Sequence, residues 1–262
     1  MHLVTLTSDW NESDYYIGAI KGRILSICPD ANIQDLNHKI KPFNTSQAAF
    51  VVRNCYPNFP EGTIHIIAVN TEPEKDSPLI AARIDNHYFL CADNGIIGLI
   101  AKSEPQEVIS LNKKGDNAPG SFVALSVFTE AACAIMKGKK LEDLGTKLTE
   151  YVTQVPLRAT IEKNIVTGSV IYIDSYSNAI TNISKDLFER IGKSKKFKIL
   201  VQSKHYTIDM INTSYSDTPP GDLLALFNSV GLLEIAIRNG NAAKLLKLNT
   251  NSTIRIEFNE KE

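Results

Sequence analysis

The run Ile171-Tyr172-Ile173-Asp174-Ser175-Tyr176-Ser177-Asn178-Ala179-Ile180-Thr181-Asn182-Ile183 decides how the chain is read. It opens as an apolar, β-rich segment suited to a buried strand. At Asp174 it drops into small polar residues around one aromatic. Asp, Ser and Asn are ordinary turn formers, so a plain turn is one reading. The other is a binding loop: a carboxylate, a flat ring and an amide this close together can hold an amine, cover a ring and read a heterocycle edge.

The chain has a different character on either side of this run. Upstream, residues 2–7 read as a strand, 16–26 as a helix, 33–36 as a strand, 45–55 as a helix and 63–69 as a β-branched strand. Strand–helix alternation implies a parallel sheet with helices on its faces. Residues 70–78 break the pattern with a Pro- and acid-rich loop at a strand end. Residues 79–84 and 87–91 then form a hairpin over Asp85-Asn86. An Ala-rich helix is expected over 123–137 and a short one over 140–148. Downstream come short strands at 168–173, 198–201, 206–208, 223–227 and 253–258, with a Ser-capped helix at 184–191. The expected fold is therefore an α/β N-terminal domain over 1–155, a mostly parallel sheet flanked by helices. A linker over 156–165, marked by Pro156, leads to a small all-β, barrel-like domain over 166–262.

Composition narrows the partners. The chain has 262 residues, enough for one large domain or two ordinary ones. With 28 basic against 29 acidic residues there is no electrostatic reason to expect nucleic acid or an anionic membrane. No apolar run approaches the roughly 18–20 residues of a membrane span. Cys28, Cys55, Cys91 and Cys133 are scattered without a Cys-x-x-Cys pair, and the five histidines show no ligand spacing. No metal is expected, and reduced thiols together with an N-terminus that lacks a signal-like pattern suggest a cytoplasmic protein.

Three separated blocks resemble one known family. Residues 174–183 are similar to the Asp-Arg-Phe-Gly-Asn-Leu-Val-Thr-Asn-Ile signature of the S-adenosylmethionine (SAM) hydroxide adenosyltransferases, which also include fluorinase and chlorinase. Tyr176 stands at the Phe position and Ser177 at the Gly position. The second block is Asn228-Ser229-Val230-Gly231-Leu232-Leu233-Glu234-Ile235-Ala236 with Gly240-Asn241-Ala242-Ala243 behind it. The third is Leu6-Thr7-Ser8-Asp9-Trp10, with Asp14 five residues past Asp9. Asp93-Asn94-Gly95 is similar to the family's Pro-Asp-Asn-Gly turn.

The resemblance implies a ligand, SAM or adenosine, and no further cofactor. Asp9 falls where the family's carboxylate holds both ribose hydroxyls; from its place alone it could equally be a turn or capping Asp. Asp14 falls near the methionine carboxylate, although a helix-start charge is an equal reading. Asp174 corresponds to the group that meets the methionine ammonium, and Asn178 to the amide that reads the adenine edge. Tyr176 would cover the adenine face, or else serve as a core aromatic. Ser229 matches a Ser that binds the methionine carboxylate, and residues 237–239, ending at Asn239, would offer backbone groups to adenine. Val230 replaces the Arg of the halogenating members, which removes a cation from the carboxylate grip. The resemblance further implies a homotrimer, each pocket lying between the α/β domain of one subunit and the barrel of its neighbour.

The family pattern fails where its chemistry resides. Members that transfer hydroxide share an Asp-Arg-His set, and those places read Asn70, Ser77 and Val123 here, so the catalytic residues are unknown. The implied reaction is SN2 attack of water at ribose C5′ with methionine leaving, and a placed base contributes roughly 10²–10⁴-fold. Asn cannot act as a carboxylate base, and Val offers no hydrogen bond. His65 does not supply the base, since ordinary members carry a His there. The expectation is weak, altered or absent hydrolysis of SAM to adenosine and methionine. The alternative is an active SAM-cleaving enzyme using Glu72, Glu74, Asp76 or an unidentified nucleophile. Halogenation is not expected: the Tyr and Thr that fluorinase carries near Asn70 and Pro73 are missing, and so is its long insertion between 101 and 120.

Overall fold

The computed structural model describes residues 2–72, 78–111, 122–193, 195–202 and 206–259. The expected acids Glu74 and Asp76 and the Ser77 position lie outside these. The chain divides into two compact units, Met1–Pro156 and Leu157–Glu262.

The first unit contains β1 (His2–Ser8), α1 (Tyr15–Ile27), β2 (Ala31–Asn37), α2 (Thr45–Cys55), β3 (Ile64–Ala68), β4 (Leu79–Ile84) and β5 (His87–Ala92). It continues with α3 (Ile96–Ile100), β6 (Glu107–Leu111), α4 (Thr129–Met136) and β7 (Gly145–Lys147). One mixed sheet runs β2-β1-β3-β5-β4-β6-β7. Its β2-β1-β3-β5 part is parallel, and β4, β6 and β7 add an antiparallel flank.

Alternate residues of the parallel strands serve two cores, as a sheet covered on both faces requires. Val4, Leu6, Ile64 and Ile66 pack with Ile20 and Ile24 of α1. Ile67, Val69 and Phe89 pack with Ala48, Ala49 and Val52 of α2. The spacing of Ile17, Ile20 and Ile24 along α1 is the helical stripe that buries one face. The β4–β5 turn has Asp85 and Asn86 at φ +48° and +62°, the left-handed pair that a tight hairpin needs.

Two segments differ from the sequence reading. Residues 140–148 are not a helix: a single 3₁₀ turn, Leu141–Asp143, precedes β7. The open edge of β6 takes up this backbone, and a Cβ on Gly145 would lie 1.9 Å from the Ser110 carbonyl oxygen, so the glycine is what permits the approach. The helix expected from 123 begins as a wide i→i+5 turn over Ala124–Phe128 before α4 takes over.

The second unit contains β8 (Thr160–Glu162), β9 (Ile165–Ile173), β10 (Ala179–Ser184), α5 (Lys185–Gly192), β11 (Phe197–Val201) and β12 (Thr207–Ile208). It ends with β13 (Leu223–Phe227), β14 (Leu232–Ile237), α6 (Ala242–Leu245) and β15 (Thr253–Phe258). Part of the stretch 156–165, expected to be a linker, is therefore β8, which pairs with β9. The antiparallel sheet runs β12-β11-β15-β9-β10-β14-β13. Asn212, just past β12, donates its N–H to Ala225 O at 2.7 Å and bridges β13, so the sheet nearly closes on itself. Val166, Val170, Ile183, Ile235 and Ile254 fill the interior. No helix among the described residues is long and apolar enough to cross a membrane.

A buried polar row runs through the first unit. Thr5 Oγ1 lies 2.7 Å from His65 Nδ1, and His65 Nε2 lies 3.2 Å from His87 Nδ1, with Phe89 stacked on the His65 ring. Burial, aided by the His87 charge, pushes His65 down from 6.5 to about 3. Below pH 6.5 the unfolded chain takes up a proton that the folded chain refuses. The contribution is thus complete above that pH and drains as pH falls toward 3. From pH 7 to pH 5 this group should remove about 2 kcal/mol of stability. Urea unfolding at the two pH values should show a clearly smaller loss for His65→Gln. An equal loss in both proteins would rule His65 out as the cause.

Candidate ligand-binding site

The residues singled out in the sequence fall into two groups, one in each unit. In the first unit, the chain leaves β1 for β2 on one side and returns to β3 on the other. The crevice beyond the carboxyl ends of two such strands is where open α/β sheets gather ligands. Asp9 emerges from β1 there, with its N–H 3.4 Å from Ala68 O, and Asn70 emerges from β3. From β5, Asn94 reaches across and donates Nδ2 to Val69 O at 3.3 Å and to Asn70 O at 3.4 Å. The ends of β1, β3 and β5 are thereby tied together.

Asp9 is half-buried and does not cap a helix. Its Oδ2 accepts the N–H of Phe43 at 2.9 Å, 34 residues away in sequence. Phe43 carries no motif that would single it out in the sequence. It is 69% exposed and sits at φ +63°, a left-handed backbone that is unusual for a bulky residue. The only hint is an aromatic in the Lys-Pro-Phe-Asn turn before α2. Asp14 occupies the N-cap position of α1, yet its side chain makes no capping bond and is exposed. The carboxylate is left facing solvent.

The positions where the resemblance implies catalytic groups hold other residues. Asn70 is exposed, at φ +50°, a conformation that Asn and Asp tolerate better than most residues. Val123 is 9% exposed and packs in the first core with Phe122 and Val127. Phe122 also meets Trp10 edge-on at 5.2 Å and Tyr16 at 5.0 Å. Val123 is thus part of an aromatic and aliphatic wall. Asp93 is buried, and burial pushes its carboxyl up despite the Val152 N–H that donates to it at 2.9 Å.

In the second unit, the polar residues 174–178 form the β9–β10 connection. Asp174 closes it from within: Oδ1 accepts the Asn178 N–H at 2.8 Å and Oδ2 accepts Asn178 Nδ2 at 3.2 Å. The Ser177 N–H donates to Asp174 O at 3.0 Å. Asn178 is buried, whereas Tyr176 stands 75% exposed, so its ring is not a core aromatic. The turn at 237–241, with Asn239 exposed at φ +54°, lies at the same end of the barrel, because Ala243 N–H donates to Ser177 O at 2.8 Å.

Ser229 is exposed in the 228–231 turn, at the opposite end of the β10–β14 pair, where Lys185 N–H donates to Gly231 O. Between the two ends lies Glu234, 2% exposed. It accepts Tyr215 Oη at 2.6 Å and Asn228 Nδ2 at 3.2 Å. Burial, the Glu234 bond and the charges of Glu234 and Asp174 all raise the Tyr215 phenol. Asp174, Tyr176, Asn178 and Asn239 are thus gathered at one end, with Ser229 separate. Among the described residues, no His, Cys, Asp or Glu side chains converge as metal ligands.

Comparison with known proteins gives a consistent picture. The family models for the SAM hydroxide adenosyltransferase N-terminal and C-terminal domains match residues 4–145 and 168–255. The (R)-S-adenosyl-L-methionine hydrolase of Methanocaldococcus jannaschii is 29% identical over 98% of this chain and 97% of its own. A fluorinase of Actinopolyspora mzabensis is 22% identical over 97% of this chain and 96% of its own. A crystal structure of an uncharacterized conserved protein from Thermotoga maritima superposes with a TM-score of 0.87. It is 26% identical and covers 97% of this chain and 99% of that one.

One local departure has a measurable consequence. Ser177 stands at the family's Gly position, and its φ is +65°. Glycine adopts this conformation freely, while another residue carries a cost of about 1–2 kcal/mol. Ser177→Gly should therefore raise stability by about 1 kcal/mol, less the added freedom of the unfolded chain. Chemical denaturation that shows a loss instead would mean the Ser hydroxyl holds the turn.

Proposed function

The chain belongs to the SAM hydroxide adenosyltransferase family, and from that premise we propose that it binds SAM or adenosine while hydrolysing SAM weakly, differently or not at all. Asp9 takes the ribose hydroxyls, with the exposed Phe43 ring beside them. Asp14 and Asp174 hold the methionine end; Ser229, which the resemblance also assigns to the methionine carboxylate, would have to reach it from the other end of the β10–β14 pair. Tyr176, Asn178 and the backbone at Asn239 recognise adenine. Both Asp174 oxygens are bonded to Asn178, so the ammonium group would have to share or displace those bonds. The protein acts as a cytoplasmic homotrimer, each ligand lying between the α/β unit of one subunit and the barrel of the next.

The observation that carries the reading is the state of Val123, an aliphatic residue packed in the core where hydrolysing members place a His. With Asn70 at the other position, neither described residue can take a proton from water. A second reading is an active SAM-cleaving enzyme using Glu72, Glu74, Asp76 or an unidentified nucleophile. It is favoured by the near full-length similarity to proteins named SAM hydrolases.

Asp9→Ala should abolish binding of adenosine, measured by calorimetric titration, under both readings. Asn70→Asp, Ser77→Arg and Val123→His combined should raise SAM hydrolysis by roughly 10²-fold or more, the scale of a restored base. Tight adenosine binding by Asp9→Ala would remove the ribose assignment. A wild-type protein that already turns over SAM rapidly, and loses that rate with Glu72→Gln, would establish the second reading.

A further inference from the structure

The end of β1 is gripped by a chain of polar groups that the ligand reading leaves unused. Ser8 is 1% exposed and His38 is 5% exposed. Ser8 Oγ lies 2.7 Å from His38 Nδ1. On the other side of the ring, Nε2 stands 3.1 Å from Asp35 Oδ1, without the alignment of a full hydrogen bond. Lys21 Nζ reaches down from α1 to the second Asp35 oxygen at 2.5 Å. Burial alone would raise the Asp35 carboxyl, but the Lys21 hydrogen bond, with the close approach of His38 and the charges of both, holds it below its ordinary value. The residue types are those of a hydrolytic triad, yet the enclosed Ser8 hydroxyl has no path to a substrate.

What this chain of groups holds in place is the backbone just past it. Segment 38–43 is fastened at its first residue to Ser8 and at its last to Asp9, two consecutive residues of the β1 end. Between these points Lys39 N–H donates to Asn37 Oδ1 at 2.7 Å, and Lys41 N–H donates to Gln47 Oε1 at 2.8 Å. Asn44, the next residue, caps α2 by accepting the Gln47 N–H at 2.9 Å. A left-handed Phe persists only where its surroundings over-determine it, and these anchors do so. The Phe43 N–H then occupies one Asp9 oxygen and sets the plane of the carboxylate, leaving Oδ1 for a ligand.

We propose that His38, supported by Asp35 and Lys21, is a positioning residue for Asp9. By seating segment 38–43 on Ser8 it holds the Phe43 N–H against Asp9, and so fixes the carboxylate for a vicinal diol. The inference rests on the reading of Asp9 as the ribose-binding group.

The test is calorimetric titration of the full chain with adenosine and with 2′,3′-dideoxyadenosine, which lacks the diol. His38→Leu should weaken adenosine binding by about tenfold and leave the dideoxy compound unchanged, so their ratio collapses. His38→Asn, whose amide can sit where Nδ1 sits, should keep most of the ratio. A merely structural role would weaken both ligands together and leave their ratio as in the wild type. If His38→Leu does not fold, Ser8→Ala, which deletes one buried oxygen, should give the same collapse. An unchanged ratio in these variants, with wild-type binding intact, overturns this proposal and leaves the ribose assignment standing. A wild type that does not prefer adenosine over the dideoxy compound overturns both.

Discussion

The parallel pairing of β1 between β2 and β3, buried on both faces, is the constraint on which the first unit depends. Val4 and Leu6 are 0% and 4% exposed, so the strand cannot slide without moving its apolar side chains out of the core. Register on both sides is therefore fixed, and Ser8 and Asp9 leave the sheet at a set height beside the ends of β3 and β5. The polar groups named at this edge are referred to that position. Phe43, Asn70 and Asn94 are held by backbone or amide bonds to the strand ends, and none relies on a long flexible side chain.

On the proposed reading, a scaffold this strongly determined keeps its ligand contacts while its chemistry changes. Binding needs hydrogen-bonding groups that stay put, and in the proposed reading Asp9, Asp174 and Asn178 are those groups. Hydrolysis needs in addition a group that takes a proton from water at the right moment. At the two described positions where the family resemblance implies such groups, the chain has an amide, Asn70, and a core aliphatic, Val123. Val123 is firmly packed: its methyls join Phe122 and Val127, with Trp10 and Tyr16 against Phe122, and a His there would bury an imidazole among rings.

Much of this is legible in the sequence, for identifiable reasons. The helical stripe Ile17, Ile20 and Ile24, the Asp85-Asn86 turn and the split between an α/β unit and a barrel follow from periodicity and turn chemistry. Strands β10 and β14 show in the sequence only as motifs, because their polar residues, Thr181 and Glu234, are satisfied inside the protein and so break the expected alternation. Strand β7 reads as helix because three residues pairing at a sheet edge leave almost no pattern. In the site, residues marked by a motif stand out, but Phe43 and His38 do not. Their proposed roles rest on a backbone N–H and a buried ring nitrogen, and both depend on the parallel partner that places position 38 beside position 8.

The most direct measurement is calorimetric titration of the wild-type protein with SAM, with chromatography of the same mixture afterwards. Saturable binding is expected, with SAM recovered intact or converted to adenosine far more slowly than a base-assisted reaction would allow. Absence of binding to either SAM or adenosine would contradict the ligand assignment and leave only the family fold. Rapid conversion would show instead that the chain has replaced the missing base.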